Sequence, residues 1–237
     1  MKEYTLEVIE VIHRTPKAIS VRMEKPSGFH YDPGQWALIS MQIDGNLESR
    51  PLSLSSSPTE DFLEFTKGIT LSSFSMAVQE SRPGDTVTLK GPAGILVYKG
   101  DAPKVTFMAG GIGITPIRSM MKYLADTDGP PGQKNLLYAC HSLEECAFLD
   151  EIKLWESDDP GLTVTHTLIQ PHEGWDGPTG FITYEMIRKY IPDLDEQLFF
   201  VSGPPHMVGC VVDCFADLNV PRERVTLEEL TGYEGMV

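Results

Sequence analysis

The sequence predicts two consecutive folds in one chain of 237 residues: a small antiparallel barrel over residues 1–100 and an α/β domain with a parallel sheet over residues 101–237. The first part consists of short alternating segments broken by turn residues, which is typical of such a barrel. In the second part strand-like and helix-like segments alternate, which favours a parallel sheet. The formal net charge changes at the same place, from −2 over residues 1–100 to −13 over residues 101–237. We therefore expect a domain boundary there.

The predicted barrel strands are short segments marked by sets of alternate residues, as expected when one face of a strand is buried. The alternating sets are Tyr4, Leu6 and Val8, then Ile19, Val21 and Met23, then Trp36, Leu38 and Ser40, and finally Val87 and Leu89. Turn residues precede the last two sets, at Pro33-Gly34 and at Pro83-Gly84-Asp85.

Two hydroxyl-rich stretches interrupt these segments. Residues 50–58 place Arg50 before closely spaced serines, a set that can hold a phosphate and a polar ring edge, although a serine-rich surface loop has the same composition. Ser72, Ser73 and Ser75 precede a short helical segment, where they either present N–H donors to an anion or simply cap the helix. Residues 64–67 form either a strand whose backbone meets a ligand or a plain edge strand.

The second part begins with residues 105–124, in the order of a dinucleotide-binding unit: a buried strand, a glycine-rich turn and an amphipathic helix. The turn contains Gly110, Gly111 and Gly113, whose backbone can approach a ligand closely, and Pro116 fits the first helical turn. The helix is predicted from its one apolar face, which consists of Ile117, Met120, Met121 and Leu124. The spacing is not Gly-x-Gly-x-x-Gly, so a nucleotide site and an ordinary strand-to-helix turn both remain open.

Strands and helices continue to alternate after this unit. The predicted strands are residues 135–139, 162–168 and 198–201, and the predicted helices are marked by Leu149, Ile152 and Trp155, and by Met207, Val211, Cys214, Phe215 and Leu218. Ligands of such sheets bind at the carboxyl ends of the strands.

Composition excludes several classes of function. The net charge of −15 argues against nucleic acid or an anionic membrane surface as a partner. No apolar run reaches membrane-spanning length and the N-terminus has no apolar signal region, so we expect a cytoplasmic protein without membrane insertion. Four cysteines are too few for a disulfide framework, which predicts reduced thiols. Cys210 and Cys214 suit half of a metal site or, as we expect, buried apolar positions, and no metal site is predicted. The chemistry must then come from a cofactor.

Six motifs, taken in order, resemble the ferredoxin–NADP reductase superfamily, and they span nearly the whole chain. They are Arg50-Pro51-Leu52-Ser53, Ser73-Phe74-Ser75, Pro83-Gly84-Asp85, Gly91-Pro92-Ala93-Gly94, the stretch from Gly110 to Pro116, and Ser202-Gly203-Pro204-Pro205-His206-Met207. The resemblance implies an N-terminal six-stranded antiparallel β-barrel that binds flavin and a C-terminal parallel-sheet domain that binds NAD(P).

The resemblance also implies roles for individual residues. Arg50 would pair with the flavin pyrophosphate, and Ser53 would lie near the reactive N5 of the flavin. The remaining flavin contacts would be Pro51, Leu52, Phe65, Thr66 and Lys67, with the N–H groups from Ser72 to Ser75 around its phosphates. The nicotinamide nucleotide would contact Gly110, Gly111, Gly113, Thr115, Pro116, Gly203, Pro204 and Met207, with Cys140 and His141 at its adenosine end.

Three departures from the family pattern bear on this assignment. The family usually has tyrosine where this chain has Leu52, which removes a stacking partner for the flavin. It often has cysteine where this chain has Ser202, a nearly isosteric change. Some relatives carry a cysteine cluster for an iron–sulfur centre near the C-terminus, whereas residues 226–233 contain no cysteine. The acidic Glu144 and Glu145 after the second strand would repel a 2′-phosphate, so we expect NADH rather than NADPH.

The resulting hypothesis is an FAD-dependent NAD(P)H reductase, FMN being the less common cofactor in this part of the family. Hydride transfer would depend on Ser53, Thr115 and Ser202, with Glu228 or Tyr233 closing the cleft. The electrons would pass to a ferredoxin or another iron–sulfur partner. Two alternatives remain open: a docking electron-transfer subunit of the dihydroorotate dehydrogenase or hydrogenase type, and a flavin-free binding module.

Overall fold

The structure is a computed structural model that describes residues 2–100, 102–127, 132–191 and 193–231. These residues form two sheets and five α-helices. The strands are β1 Lys2–Thr15, β2 Ala18–Glu24, β3 Trp36–Ile43, β4 Asn46–Ser53, β5 Phe62–Gly68, β6 Thr86–Ala93, β7 Lys104–Gly110, β8 Gln133–Cys140, β9 Leu162–Leu168, β10 Leu198–Gly203 and β11 Val225–Glu229. The helices are α1 Ser73–Glu80, α2 Ile114–Asp126, α3 Leu149–Asp158, α4 Tyr184–Tyr190 and α5 Pro205–Asp217.

The first sheet has six antiparallel strands in the order β4-β3-β6-β1-β2-β5, which confirms the six-stranded antiparallel prediction. A bridge between Leu54 and Phe65 joins its two edges and closes the barrel. The predicted inward face of β2 is confirmed, since Ile19, Val21 and Met23 are fully buried. Below, "the barrel" means β1 to β6 together with α1.

The predicted face of β3 is wrong. Ala37 and Ile39 are fully buried, whereas Trp36 and Leu38 of the predicted set are partly exposed. β3 lies between β4 and β6, and a Cβ atom on Gly91 of β6 would come within 2.9 Å of the Ala37 Cβ atom. The inner side of β3 therefore admits a small side chain at residue 37, and the larger indole of Trp36 takes the other face.

The second sheet has five parallel strands in the order β11-β10-β7-β8-β9. The predicted strand, turn and helix over residues 105–124 are confirmed as β7 and α2, and the predicted apolar face of α2 is buried. The sequence analysis missed α4 and β11, which are short. We call β7 to β11 with α2 to α5 the α/β layer.

The sheet order places a ligand crevice at one particular point. The chain runs from β7 outward to β8 and β9 on one side and to β10 and β11 on the other. In such sheets ligands bind beyond the carboxyl ends of the strands where the direction of winding reverses. Here those ends are Gly110 of β7 and Gly203 of β10. The boundary predicted near residue 100 falls between β6 and β7 and stays a prediction.

The cysteines differ from the predicted reduced set, because Cys140 at the end of β8 forms a disulfide with Cys146. The thiols therefore no longer support the cytoplasmic prediction. Cys210 is exposed rather than buried as expected, and Cys214 packs against the core between α5 and the sheet. Across the described part of the chain, none of the helices has both the length and the apolar character needed to span a bilayer.

Candidate functional site

A cleft of about 570 Å³ separates the barrel from the α/β layer. Its barrel wall is formed by Trp36, Arg50, Pro51, Leu52, Ser53, Thr66, Lys67, Thr70 and Ser72. The opposite wall is formed by Ile112, Thr115, Glu228, Glu229, Leu230 and Thr231. The cleft therefore brings the hydroxyl-rich stretches together with the glycine-rich turn, although they lie far apart in the sequence.

One hydrogen bond crosses the cleft, and we call it the Ser53–Glu228 bridge. Ser53 ends β4, and its Oγ donates to Oε1 of Glu228 on β11 at 2.9 Å. Burial raises the pKa of Glu228, and the hydrogen bond from Ser53 lowers it by a smaller amount. A carboxyl group with a raised pKa and a single polar side-chain partner can accept or release a proton nearer to neutral pH than an ordinary glutamate.

Ser202 lies beside this bridge on the α/β side. In the parallel pairing of β10 with β11, Ser202 is the register partner of Glu228. The residue is completely buried, and its Oγ has no hydrogen-bond partner among the residues that the structure describes. A buried hydroxyl without a partner costs about 1–3 kcal/mol, so such a group in a cleft is a candidate for a ligand contact.

The predicted glycines allow the two central strands to approach each other. A Cβ atom on Gly110 would lie 2.2 Å from Met207 Sδ, and one on Gly203 would lie 2.7 Å from the same atom. A Cβ atom on Gly113 would lie 2.1 Å from the Ser202 carbonyl oxygen. Gly111 adopts a φ of +51°, which side chains disfavour, and it faces open space. Without side chains, Gly110 and Gly203 thus let Met207 pack against the strand ends, and Gly113 lets the turn lie close to Ser202.

Thr115, in the first turn of α2, is part of the same wall. Its Oγ1 donates to the Ile112 carbonyl oxygen at 2.6 Å, so the hydroxyl can only accept from a ligand. Pro116 is buried in the helix and does not line the cleft, whereas Pro204 lines a neighbouring pocket. The turn therefore offers a fixed acceptor at Thr115.

Arg50 and the start of α1 meet through Glu48. Arg50 Nη2 lies 3.0 Å from Glu48 Oε2, and the guanidinium lies over the Phe74 ring, 5.4 Å from its centroid. Ser73 Oγ donates to the other Glu48 oxygen at 2.7 Å. The arginine and the helix start are therefore adjacent, and Glu48, which was not predicted as a site residue, pairs with the Arg50 guanidinium.

The capping serines divide between two roles. Ser72 is the N-cap of α1, and its Oγ accepts from the Ser75 N–H at 3.2 Å. The Ser75 amide is therefore taken up inside the helix, and both Ser75 and Phe74 are buried below the surface. Of the predicted phosphate cradle, Ser72 lines the cleft and Ser73 is partly exposed, whereas Phe74 and Ser75 are not brought to it.

β5 contributes two of its three predicted contacts. Thr66 and Lys67 line the cleft, but Phe65 is fully buried in the barrel core. Thr66 Oγ1 is hydrogen-bonded to Ser55 and Ser20, at 2.8 and 2.7 Å. Burial, with a smaller contribution from Arg50, lowers the pKa of Lys67 to about 8. The cleft therefore contains a nearly buried cation that titrates close to neutral pH.

A smaller pocket continues from the cleft toward β8, sharing Ile112 and Leu230 with it. It is also lined by Gly110, Gly111 and Pro204, and a surface ion pair between Lys17 and Glu145 closes one side at 2.9 Å. Cys140 and His141 line neither space, since Cys140 is buried in its disulfide. Tyr233 lies outside the described residues.

Sequence reasoning missed Trp36 as a site residue. It is the register partner of Ser53 in the antiparallel pair β3–β4, so both side chains point to the same face of the sheet. Pairing β3 with β4 before assigning faces would have found it. Lys17 and Thr231 gave no comparable signal, because only the docking of the two sheets brings them to the site.

Comparison with known proteins identifies related sequences. Residues 107–213 match the family described as "Oxidoreductase NAD-binding domain". The chain is 30% identical over 160 residues to one subunit of the Na⁺-translocating NADH-quinone reductase of Pseudomonas paraeruginosa, covering 64% of this chain and 38% of that one. It is 31% identical over 130 residues to NADH-cytochrome b5 reductase 1 of Pyricularia oryzae, covering 53% and 42%. The chain thus spans about two fifths of the length of these curated relatives.

The fold recurs in solved structures. One match is a ferredoxin NADP⁺ reductase from Neisseria gonorrhoeae with bound FAD and NADP. It has a TM-score of 0.84 and 19% sequence identity, and the match covers 97% of this chain and 99% of that one. At this identity the match establishes the shared two-domain architecture and leaves the ligands of this chain to be argued from its own residues.

Proposed function

We propose, from the premise that the chain belongs to the ferredoxin–NADP reductase superfamily, that it is an FAD-dependent oxidoreductase that accepts a hydride from NADH and passes electrons to an iron–sulfur protein such as a ferredoxin. The observation that carries this proposal is the Ser53–Glu228 bridge, which joins the two walls of the cleft at 2.9 Å. It puts a hydroxyl and a carboxyl with a raised pKa where a ligand of the barrel and a ligand of the α/β layer would meet.

The barrel wall fits a flavin nucleotide. Lys67 provides positive charge for a pyrophosphate, as does Arg50 once its exposed side chain exchanges Glu48 for the ligand, and the Ser72 end of α1 adds a polar contact. Leu52 supplies apolar contact but no aromatic face. We assign that face to Trp36, which lines the same wall beside Ser53 and is only partly buried. FAD is preferred to FMN by analogy with the family.

The α/β wall fits a nicotinamide. The buried Ser202 Oγ has no hydrogen-bond partner within the described part of the chain, and an amide group of a ligand would satisfy it. Thr115 can accept a further hydrogen bond, and Gly111 of the glycine-rich turn faces open space. Both features lie at the point of the sheet where nucleotides bind in this architecture.

The chain's own residues would orient the reactants and handle the proton. A bound flavin supplies the hydride-accepting ring and the ability to release electrons one at a time. Ser53 holds its proton on Oγ, directed at Glu228, and can redirect it to a neighbouring nitrogen. Glu228 accepts or returns that proton because its pKa is raised. Ser202 and Thr115 hold the nicotinamide carboxamide, so that transfer becomes effectively unimolecular.

NADH is the preferred donor in this proposal. Glu144 is exposed on the segment after β8, and Glu145 lines the smaller pocket, where its charge is compensated by Lys17. A 2′-phosphate approaching this side would meet one carboxylate without a compensating arginine among those contacts. The two curated relatives described above both carry NADH in their names.

Anaerobic mixing tests the proposal directly. The purified protein is incubated with FAD, freed of excess, and mixed separately with NADH and with NADPH while the flavin absorbance is followed. Bleaching by NADH supports the proposal, and bleaching by NADPH alone contradicts the donor assignment. A protein that stays colourless after incubation with FAD is a flavin-free module, which contradicts the oxidoreductase assignment.

A second candidate is an electron-transfer subunit that acts only within a larger complex. It is favoured by the match to one subunit of a quinone reductase. The barrel, with its nearly balanced charge, would then be the docking face, because the acidic α/β layer would repel an acidic partner. Rapid ferredoxin reduction by the isolated chain favours the first candidate, and co-purification with an iron–sulfur protein without such activity favours the second.

A further inference from the structure

A set of charged residues that the cleft does not use connects the barrel to the α/β layer. Its members, which we call the ion-pair cluster, are Arg14, Glu60 and Glu64 from the barrel side and Arg118 and Glu151 from the α/β layer. No sequence pattern pointed to it, because its members come from four separate segments of the chain. The cluster therefore needs an explanation of its own.

Arg118 is the centre of the cluster and is only 2% exposed. Its two terminal nitrogens contact both oxygens of Glu60, at 2.5 and 3.0 Å, which is a bidentate pair. Nη2 also contacts Glu151 on α3 at 2.6 Å, and Nη1 donates to the Ser55 carbonyl oxygen at 3.0 Å. A planar guanidinium fork suits this arrangement, and a lysine could not reproduce it. Arg118 thus binds the barrel and the α/β layer at the same time.

Arg14 makes a second connection in parallel. Its Nη2 pairs with the fully buried Glu64 at 2.8 Å, within the barrel, and its Nη1 reaches Glu151 at 3.4 Å. Both guanidiniums also lie over the Phe148 ring. The Arg14 guanidinium is 4.8 Å and the Arg118 guanidinium 5.6 Å from the ring centroid. Phe148 adopts a φ of +62° to reach this position. Both arginines therefore lie against the same aromatic ring of the α/β layer.

The cluster lies close to both walls of the cleft along the chain. Ser55, whose carbonyl oxygen Arg118 binds, is two residues beyond Ser53. Arg118 itself is three residues beyond Thr115, within one helical turn. The next residue of α2, Ser119, donates to the Ser56 carbonyl oxygen at 2.6 Å. Contacts between the barrel and the α/β layer are thus made within a few residues of both Ser53 and Thr115.

We propose that Arg118, held by Glu60, is a positioning residue that fixes the spacing between the two walls of the cleft and thereby the rate of hydride transfer; this rests on the proposed function. Transfer rates depend steeply on placement, and an error of about 1 Å can cost about 100-fold. Loosening the contact would let the walls drift while each wall keeps its own ligand contacts. The expected signature is a slower transfer at nearly unchanged NADH affinity.

The test compares the wild-type protein with Arg118→Lys, Glu60→Gln and a control, Lys134→Met. Lys134 is also nearly buried and paired with Asp159 at 3.0 Å, but that pair lies within the α/β layer and outside the cleft. Each FAD-loaded protein is mixed with NADH at increasing concentrations, well below its unfolding temperature. We expect the saturating rate of flavin reduction to fall about 10- to 100-fold in the two cluster variants, with half-saturation changed less than about threefold. Lys134→Met should keep the wild-type rate.

A second measurement uses the flavin-free protein. Hydrogen exchange is expected to rise in residues 53–57 and 111–119 of both cluster variants and to stay unchanged in β8 and β9. A wild-type rate in both variants, despite faster exchange, overturns the positioning role and leaves the proposed function intact. A wild-type protein that NADH does not reduce overturns the proposed function, and the positioning role falls with it. If Arg118→Lys fails to fold, Glu60→Gln decides, since its amide still accepts from Arg118.

Discussion

Two of the contacts that join the barrel to the α/β layer use carboxylates that differ in how completely they are bound. In the ion-pair cluster, Glu60 faces two nitrogens of Arg118, and Glu64 accepts from Arg14, Arg22 and Ser55. At the Ser53–Glu228 bridge, the carboxyl has one hydroxyl partner among the contacts of the described residues. The carboxylates of the ion-pair cluster are thus paired with cations, whereas the carboxyl group of Glu228 has a hydroxyl partner and no cation among these contacts.

The difference separates structure from chemistry. A buried charge whose partners are complete keeps its protonation state and resists movement, so it is suited to holding two parts of a fold together. A carboxyl group that is desolvated without a cation has a raised pKa and can exchange a proton with a neighbour. Glutamate therefore stabilises the interface between the two parts in one contact and is a candidate proton carrier in the other.

The largest expected effect is on stability and comes from replacing Arg118, the centre of the ion-pair cluster. Arg118→Met leaves Glu60 and Glu151 without their main partner, and breaking such a buried pair typically costs about 3–5 kcal/mol. We expect a fall of about 10 °C in the unfolding midpoint, at about 2–4 °C per kcal/mol for a chain of this size. Calorimetry of the flavin-free protein measures it. A fall no larger than that of Lys134→Met would mean that the cluster is no stronger than a pair within one layer.

Glu228→Gln should lower the reaction rate rather than the stability. The side chain keeps its shape and can still accept from Ser53, but it cannot carry a proton, and loss of a proton-transfer group usually costs at least about 100-fold in rate. The hydride itself needs no proton carrier, but the proton must leave when the electrons are passed on. We therefore expect the rate at which the NADH-reduced protein reduces an acceptor dye to fall by about that factor, measured by rapid mixing. Ser53→Ala is the matched variant on the other side of the bridge. A wild-type rate in Glu228→Gln would remove the proposed proton role.

The same substitution also predicts a sign for stability. The folded-state pKa of Glu228 lies above its unfolded value, so ionisation of this group destabilises the folded protein. Its contribution is most favourable below the unfolded pKa and is lost as the pH rises through the folded pKa. Glu228→Gln should therefore unfold at a slightly higher temperature than the wild type at neutral pH, whereas Arg118→Met unfolds at a lower one. A destabilised Glu228→Gln would erase the contrast between the two contacts.

A smaller effect is expected at Trp36, which tests whether the barrel wall holds an aromatic ligand. Trp36→Ala should weaken FAD binding about tenfold, about 1.4 kcal/mol, because it removes a stacking surface that Leu52 cannot replace. Trp36→Phe should retain most of the affinity. Equilibrium dialysis gives the dissociation constants. Equal affinity in wild type and Trp36→Ala would show that the indole does not touch the cofactor.

The smallest effect concerns the cation in the cleft. The pKa of Lys67 is about 8, so the lysine loses its charge as the pH rises from 7 to 9. Binding of the anionic cofactor should weaken severalfold over that range, since the charge attracts phosphate. The trend should be flatter in Lys67→Gln, which is uncharged throughout. FAD affinity that is independent of pH in the wild type would mean that Lys67 makes no phosphate contact.

Local patterns were sufficient for most elements of the fold. The alternation of Ile19, Val21 and Met23 and the helical stripe of α2 each report one buried face, and both were confirmed. The buried face of β3 was predicted wrongly because this strand has apolar side chains on both faces. Alternation then indicates which residues share a face but not which face is buried. α4 and β11 were missed because neither is long enough to show a period.

Several segments of the candidate site could be predicted from the sequence, because polar residues and glycines occur where strands end. It placed Arg50, Ser53, Lys67 and Thr115 in site segments, and the structure brings all four to one cleft. It also included Phe65, Phe74 and Ser75, whose side chains the barrel buries. Neighbouring positions in a strand or cap alternate between inside and outside, and a motif does not record that alternation.

The sequence by itself determined the order of elements, the two sheet types and the glycines at the ends of β7 and β10, because these follow from local sterics and periodic burial. Only the tertiary structure decided that Trp36 stands beside Ser53, that Glu228 reaches across to it, and that Arg118 is bound by Glu60. Those contacts join residues separated by 17 to 175 positions. They depend on how two finished sheets dock, and buried polar groups find partners by that docking rather than by any spacing along the chain.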